Sequence, residues 1–165
     1  MTKLLMEMSL LEAAHLTGLV EQFAELIAGT VDEDGLDDPA ILRLVPDAYR
    51  DDAEAAAEFR GLTQGDLLDR RRDDAGLVLT TRQRDGVTLH PGDVAAADAT
   101  SAFVVELDAP AASAWLRTLT SIRLVMATRI GISSDDEQGD PDDPRVGVYE
   151  WLGFRLEGLL QALED

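Results

Sequence analysis

The stretch FVVELDAPAASAWLRTLTSIRLVMATRIGI, residues 103–132, decides most of the fold of this 165-residue chain. Its first five residues are mainly β-branched or aromatic, which predicts a strand over 103–107. Asp108 is a typical N-cap and Pro110 is tolerated in a first helical turn. We therefore predict a long helix that begins after Asp108 and ends at Gly131.

Three arginines interrupt this apolar helix, which has no Asp or Glu over 109–130 although the chain carries 33 acids against 14 bases. At 100° per residue, Arg123 and Arg129 flank the apolar stripe, whereas Arg117 lies opposite it and faces solvent or a partner. Burial of an unpaired guanidinium is costly. We predict structural ion pairs for Arg123 and Arg129, with Asp52 as the best carboxylate donor. An arginine pair that holds an anionic ligand is the functional alternative.

A similar strand, cap and helix open the chain. Residues 3–8, KLLMEM, are typical of a short strand, and Ser9 with Glu12 three residues later forms a capping-box pattern. An offset of 99 residues aligns the two units and places Leu16 over Trp115. We predict that the two strands pair in one small sheet covered by helices.

The rest of the chain predicts three further helices. Helix propensity favours one over 47–60, which Gly61 is expected to end, and another from Thr63 to about Arg84. A final helix is predicted over 148–163. The fold class is therefore mainly α (α+β), a single domain over 1–165 with five helices around a two-stranded sheet. The predicted core comprises Leu19, Phe23, Tyr49, Phe59, Trp115, Leu119, Ile122, Met126, Leu152 and Leu156.

Charge and missing residue types argue against several functions. The net charge of -19 disfavours direct binding to nucleic acid or to anionic membranes. The chain has no cysteine and two histidines, so we expect no thiol chemistry, no zinc site, no catalytic triad and no cofactor. No apolar run is long enough to span a bilayer, and no signal-peptide pattern opens the chain, which predicts a cytoplasmic protein.

Two acidic loops are predicted, near 29–46 and 132–146. The first resembles the start of a calcium loop, but Gly35 arrives two positions early and Arg43 stands where a closing glutamate is required. We interpret both loops as solvated. Divalent-ion binding or hydrolysis by clustered carboxylates is the alternative, and no catalytic residue or metal ligand is assigned.

The final helix carries a second apolar side. Its leucines form a core stripe, and Trp151, Phe154 and Gly158 follow the 3, 4, 7 spacing of another contact face. Aromatic anchors of this kind dominate protein interfaces. We predict a partner surface that includes Trp151, Phe154, Arg117 and Leu124, and a homodimer is one version of it. A helix packed on both sides within its own domain is the alternative.

Three sequence blocks resemble a known family. They are YRDDAEAAAEFRGLTQGDLL at 49–68, SIRLVMATRIGI at 121–132 and YEWLGFRLEGLLQAL at 149–163. In this order they resemble an actinobacterial family classified as a domain of unknown function, some members of which are described as oxidative-stress transcriptional regulators. The chain departs from that pattern at Ser121, where an acid is expected, and at Ala127, where glycine is usual.

The resemblance implies a regulatory role, and the composition limits its mechanism. Without cysteine the chain cannot sense oxidants through its own thiols. A regulator of this kind would act through protein partners such as a sigma factor or RNA polymerase, and an acidic surface suits basic partners. We therefore predict a non-enzymatic interaction protein without a cofactor. A metal-binding or hydrolytic enzyme is the alternative.

Overall fold

The computed structural model describes residues 3–32, 39–44, 53–81, 90–132 and 139–164. Within these ranges the chain is mainly helical, with five helices and a two-stranded antiparallel sheet, which confirms the predicted fold class. In chain order the elements are β1 (Leu4–Ser9), α1 (Leu10–Asp32), α2 (Pro39–Leu42), α3 (Ala53–Thr81), β2 (Ala102–Leu107), α4 (Ala109–Ile130) and α5 (Pro144–Glu164). No helix among the described residues is both long and apolar enough to cross a membrane.

Both strand-to-helix junctions are capped as predicted. Ser9 Oγ accepts a 3.1 Å hydrogen bond from the main-chain N–H of Glu12, and Asp108 Oδ1 accepts one of 2.9 Å from the N–H of Ala111. Each bond satisfies an N–H that the first helical turn leaves free. At the other end of α4, Gly131 adopts a left-handed conformation with φ of 80° and ends the helix.

The two predicted strands pair with each other, so that Leu4 lies opposite Leu107 and Ser9 opposite Ala102. Alternate residues point to opposite faces of the sheet. The inner face carries buried side chains of both strands, namely Met8, Phe103, Val105 and Leu107. The outer face is left open at Leu5 and Val104.

The helices enclose one main core. α3 packs against α1 and α4, and α5 packs against α4. Of the predicted core residues, six are buried: Phe23, Trp115, Leu119, Ile122, Leu152 and Leu156. Leu19 and Met126 are partly buried and pack against that core, whereas Tyr49 and the side chain of Phe59 lie outside the described part of the chain.

The predicted break at Gly61 is wrong, because α3 continues through it from Ala53 to Thr81. A helical glycine costs about 1 kcal/mol relative to alanine, which packing against two neighbouring helices outweighs. α1 also extends to Asp32, into the predicted acidic loop near 29–46. The two predicted middle helices are thus one helix, and the short α2 completes the five.

α5 begins at Pro144, four residues before its predicted start. Asp143 precedes it, and its Oδ1 accepts a 2.9 Å hydrogen bond from the main-chain N–H of Arg145. An aspartate cap followed by proline at the first helical position is a favourable helix start. The apolar pattern alone misses this first turn because it contains Arg145 and Gly147.

Candidate interaction surface

Arg155 joins α5 to the first strand and the first helix. Its Nη1 donates a 3.1 Å hydrogen bond to the main-chain carbonyl oxygen of Glu7, and its Nη2 pairs with the carboxylate of Glu12. The main-chain N–H of Glu12 is the one that Ser9 caps. The ion pair between Arg155 and Glu12 separates two grooves, which lie on the side of α5 that faces β1 and α1.

The first groove lies between α1 and the N-terminal half of α5 and is called here the α1–α5 groove. Its cavity measures about 690 Å³. The lining is mostly apolar and comprises Ser9, Leu11, Glu12, His15, Gly18, Leu19, Gln22, Pro91, Pro144, Gly147, Val148 and Trp151. Trp151 is half-buried and packs against the core, so it forms one wall of this groove.

The second groove lies between β1 and the C-terminal half of α5 and measures about 210 Å³. Leu5, Phe154, Gly158 and Ala162 are among its lining residues. Phe154 is 68% exposed, and the Arg155 guanidinium carbon lies 5.7 Å from the centroid of its ring. Trp151 and Phe154 therefore share one side of α5 but stand in different grooves.

The outer face of the sheet extends the exposed apolar surface beside Phe154. Leu5 is 65% exposed and Val104 is 51% exposed. The register places Val104 opposite Glu7 and Leu5 opposite Glu106, so the two apolar side chains are diagonal neighbours on this face. Leu5, Val104 and Phe154 together are called here the sheet–Phe154 surface.

Arg123 is held by an aromatic ring of α5. Its guanidinium carbon lies 4.1 Å from the centroid of the Tyr149 ring, which is a cation–π contact, and its Nε lies 3.5 Å from the Tyr149 carbonyl oxygen. The same guanidinium covers Gly153, where an added methyl group would come within 3.0 Å of Nη2. Glu150 and Glu157 line the groove that contains Arg123.

The other two predicted ion-pair residues are placed differently. Arg129 is exposed in the last turn of α4, where a positive charge interacts favourably with the helix dipole. Asp52 lies outside the described residues, so its pairing with Arg123 or Arg129 stays a prediction.

Arg117 and Leu124 lie away from the α5 grooves. Arg117 forms two hydrogen bonds with Asp74 of α3, from Nε at 2.8 Å and from Nη2 at 2.9 Å. The side-chain hydrogen bond to Asp74 raises the pKa of Arg117. Leu124 is partly buried and packs against the core. The structure thus brings Trp151 and Phe154 onto one helix side and places Arg117 on the face of α4 toward α3.

The two histidines belong to separate environments. His90 Nε2 lies 2.8 Å from Glu21 Oε1 on α1, and His15 lines the α1–α5 groove. Within the described ranges, no three His, Asp or Glu side chains are arranged to hold a metal ion. The acids at 33–38 and 133–138 lie outside those ranges, so the predicted acidic loops are described only in part.

A family model described as a domain of unknown function, DUF2017, matches residues 2–163. The chain belongs to this family. Searches of curated proteins and of solved structures gave no match. The family match spans the elements from β1 to α5 except the last residue of α5, and it confirms the resemblance to an uncharacterised domain family. The actinobacterial origin and the regulatory role implied by the resemblance stay predictions.

Sequence reasoning did not single out Leu5, Val104 or the bridge between Arg155 and Glu12. The first two were detectable, because strands with one buried face alternate inward and outward side chains. The bridge joins residues 143 positions apart, and no local pattern relates them. Asp74 also lies 3.6 Å from Arg71 of its own helix.

Proposed function

We propose that this protein is a non-enzymatic interaction module that binds a protein partner through the sheet–Phe154 surface. The observation that carries the proposal is the grouping of three large apolar side chains, each more than half exposed, on β1, β2 and α5. Single exposed apolar residues are ordinary, but a contiguous group is a recurrent mark of an interaction site. Aromatic residues such as Phe154 are enriched at the energetic centres of interfaces.

The surroundings of this surface favour a basic partner. Glu7 and Glu106 lie on the same outer face, and the chain as a whole carries a net charge of -19. Lys3 approaches Glu106 at 3.4 Å, and both side chains are well exposed. Complementary charge steers association and suppresses wrong partners. A transcription-associated role, with a sigma factor or RNA polymerase as partner, is the form of the proposal that the family resemblance suggests.

Affinity capture with paired variants tests the proposal. The immobilised wild-type chain is expected to retain a partner from a lysate of its source cell, and L5S/F154S is expected to lose it. L77S is the matched control, because Leu77 is also an exposed leucine but lies on α3. Retention of the same partner by L5S/F154S and loss by L77S would contradict the assigned surface.

Sedimentation velocity distinguishes a second copy from a different protein. If the surface joins two copies, the wild-type chain sediments as a dimer and L5S/F154S as a monomer. A monomer in both cases removes the homodimer and leaves a different protein as the partner. The W151A variant is measured in parallel, since Trp151 lines the other groove and tests the partner surface predicted from the sequence.

A further inference from the structure

The α1–α5 groove continues beyond the cavity that contains Trp151. Leu19 and Gln22 line this cavity and also a second one of about 140 Å³. The second cavity is bounded by α1 and by Ile122, Val125 and Met126 of α4. Leu19 and Gln22 therefore connect the two cavities along α1, which faces α5 in the first cavity and α4 in the second.

The length of the groove suits a helical occupant. Its lining along α1 begins at Leu11 and ends at Leu26. At 1.5 Å per residue this is about 22 Å, the length of a helix of roughly four turns. A groove between two helices accepts the apolar face of an amphipathic helix through side chains at i, i+3, i+4 and i+7.

The charge beside the groove determines which charge we expect on the polar face of the bound helix. Among the α1 acids whose side chains are described, Glu12 pairs with Arg155, Glu21 Oε1 lies 2.8 Å from His90, and Glu25 is exposed. Glu25 is exposed and lies three residues after Gln22, so it shares the groove side of the helix. On the opposite wall, Arg145 is already paired with Asp143 at 2.7 Å.

We propose that the α1–α5 groove binds an amphipathic helix of a partner protein, with apolar residues toward Leu19 and Trp151 and lysine or arginine toward Glu25 of α1. The proposal rests on the proposed interaction function but uses a different surface from the sheet–Phe154 surface. The lining supplies apolar contact, and the exposed carboxylate of Glu25 disfavours an acidic helix.

Two glycines permit a sharp test. A Cβ atom added at Gly147 or at Gly158 would meet no atom within 4 Å, and both residues lie on α5. Gly147 lines the α1–α5 groove, whereas Gly158 lines the groove beside β1. G147Q therefore fills the proposed site, and G158Q is the same change on the same helix outside it. Both variants are expected to fold, because glutamine is the better helix former.

The probe is a fluorescently labelled 16-residue peptide with leucine at i, i+3, i+4 and i+7 repeats and lysine or arginine elsewhere, measured by fluorescence anisotropy. We expect binding to the wild type that weakens as salt rises. G147Q should weaken it at least tenfold, and G158Q and L5S/F154S should leave it unchanged. E25K should weaken it more than E157K, which makes the same charge change on the far side of α5.

Other results would overturn the assignment. Equal binding of a peptide with glutamate in place of the basic residues would remove the charge argument. Equal loss in G147Q and G158Q would place the peptide elsewhere. If the wild type self-associates in sedimentation velocity and G147Q alone is a monomer, the occupant is a second copy and the basic-helix proposal is wrong. If L5S/F154S loses the lysate partner but still binds the peptide, the α1–α5 groove and the sheet–Phe154 surface are independent binding sites.

Discussion

The indole Nε1 of Trp115 donates a 2.8 Å hydrogen bond to Oγ1 of Thr81, the last residue of α3. Trp115 is fully buried, so its N–H has to be satisfied inside the protein. Thr81 Oγ1 in turn donates to the Val78 carbonyl oxygen at 2.7 Å. The bond joins the first half of α4 to the end of α3.

Replacement of Thr81 by valine should destabilise the fold. The buried Trp115 N–H would lose its acceptor, which costs about 1–3 kcal/mol. Denaturant unfolding followed by circular dichroism measures the change. T80V is the matched control, because Thr80 is exposed and its Oγ1 donates to the Gly76 carbonyl oxygen of its own helix. Equal effects of the two substitutions would contradict the role of the Trp115 hydrogen bond.

Removal of a buried hydroxyl on α4 should have the opposite effect and stabilise the fold. Thr118 is fully buried, and its Oγ1 has no hydrogen-bond partner in the described structure. Valine has nearly the same shape and avoids the desolvation cost of the hydroxyl. We expect T118V to raise the free energy of unfolding by about 1 kcal/mol. A clear loss of stability in T118V would indicate that the hydroxyl is hydrogen-bonded.

Arg117 and Asp74 should show a measurable coupling energy. The side chain of Asp74 is mostly buried, whereas the side chain of Arg117 is about half exposed. Two aligned hydrogen bonds to one carboxylate fix the geometry, but exposure limits the coupling to about 0.5–1 kcal/mol. A double-mutant cycle of R117A and D74A at low salt measures it. Additive effects would show that the pair contributes only through each residue's separate contacts.

Substitutions of Gly153 and Arg123 should have non-additive effects on stability. In the wild type, a methyl group at Gly153 would press against the Arg123 guanidinium. In the R123A background this contact is gone, and alanine is favoured over glycine by about 1 kcal/mol in a helix. We therefore expect G153A to be more stabilising in R123A than in the wild type. Thermal unfolding of the four variants gives the comparison, and an identical effect in both backgrounds would refute it.

The N-terminus of α5 provides a pH-dependent prediction. The side-chain hydrogen bonds from Arg145, followed by its main-chain N–H, lower the pKa of Asp143. Since the folded-state pKa is below the ordinary value, this stabilising contribution is present at neutral pH. It is lost as the pH falls through the folded-state pKa.

A carboxyl-carbon NMR titration tests this directly. Asp143 should titrate at lower pH than in the R145Q variant, which removes the charged side chain but keeps the main-chain N–H. Titration of Asp143 at the same pH in both proteins would contradict the assigned cause.

The local parts of the fold were predictable from neighbouring residues. The β-branched run before Asp108, the cap patterns at Ser9 and Asp108 and the glycine at 131 all act over four residues or fewer. Their hydrogen bonds form within one turn, so composition and spacing are sufficient to place them. The continuity of α3 through Gly61 was not predictable in this way, because it depends on packing against α1 and α4.

The candidate site shows the same division. Helical spacing alone indicated that Trp151 and Phe154 share a side of α5. The alternation of inward and outward side chains along β1 and β2 accounts for the exposure of Leu5 and Val104. By itself, the sequence determined the two strands and the caps at Ser9, Asp108 and Gly131. Only the tertiary structure decided that Arg117 meets Asp74, 43 positions away, and that the bridge from Arg155 to Glu12 separates two grooves. The reason is that such partners are selected by the packing of whole helices, which no short-range pattern records.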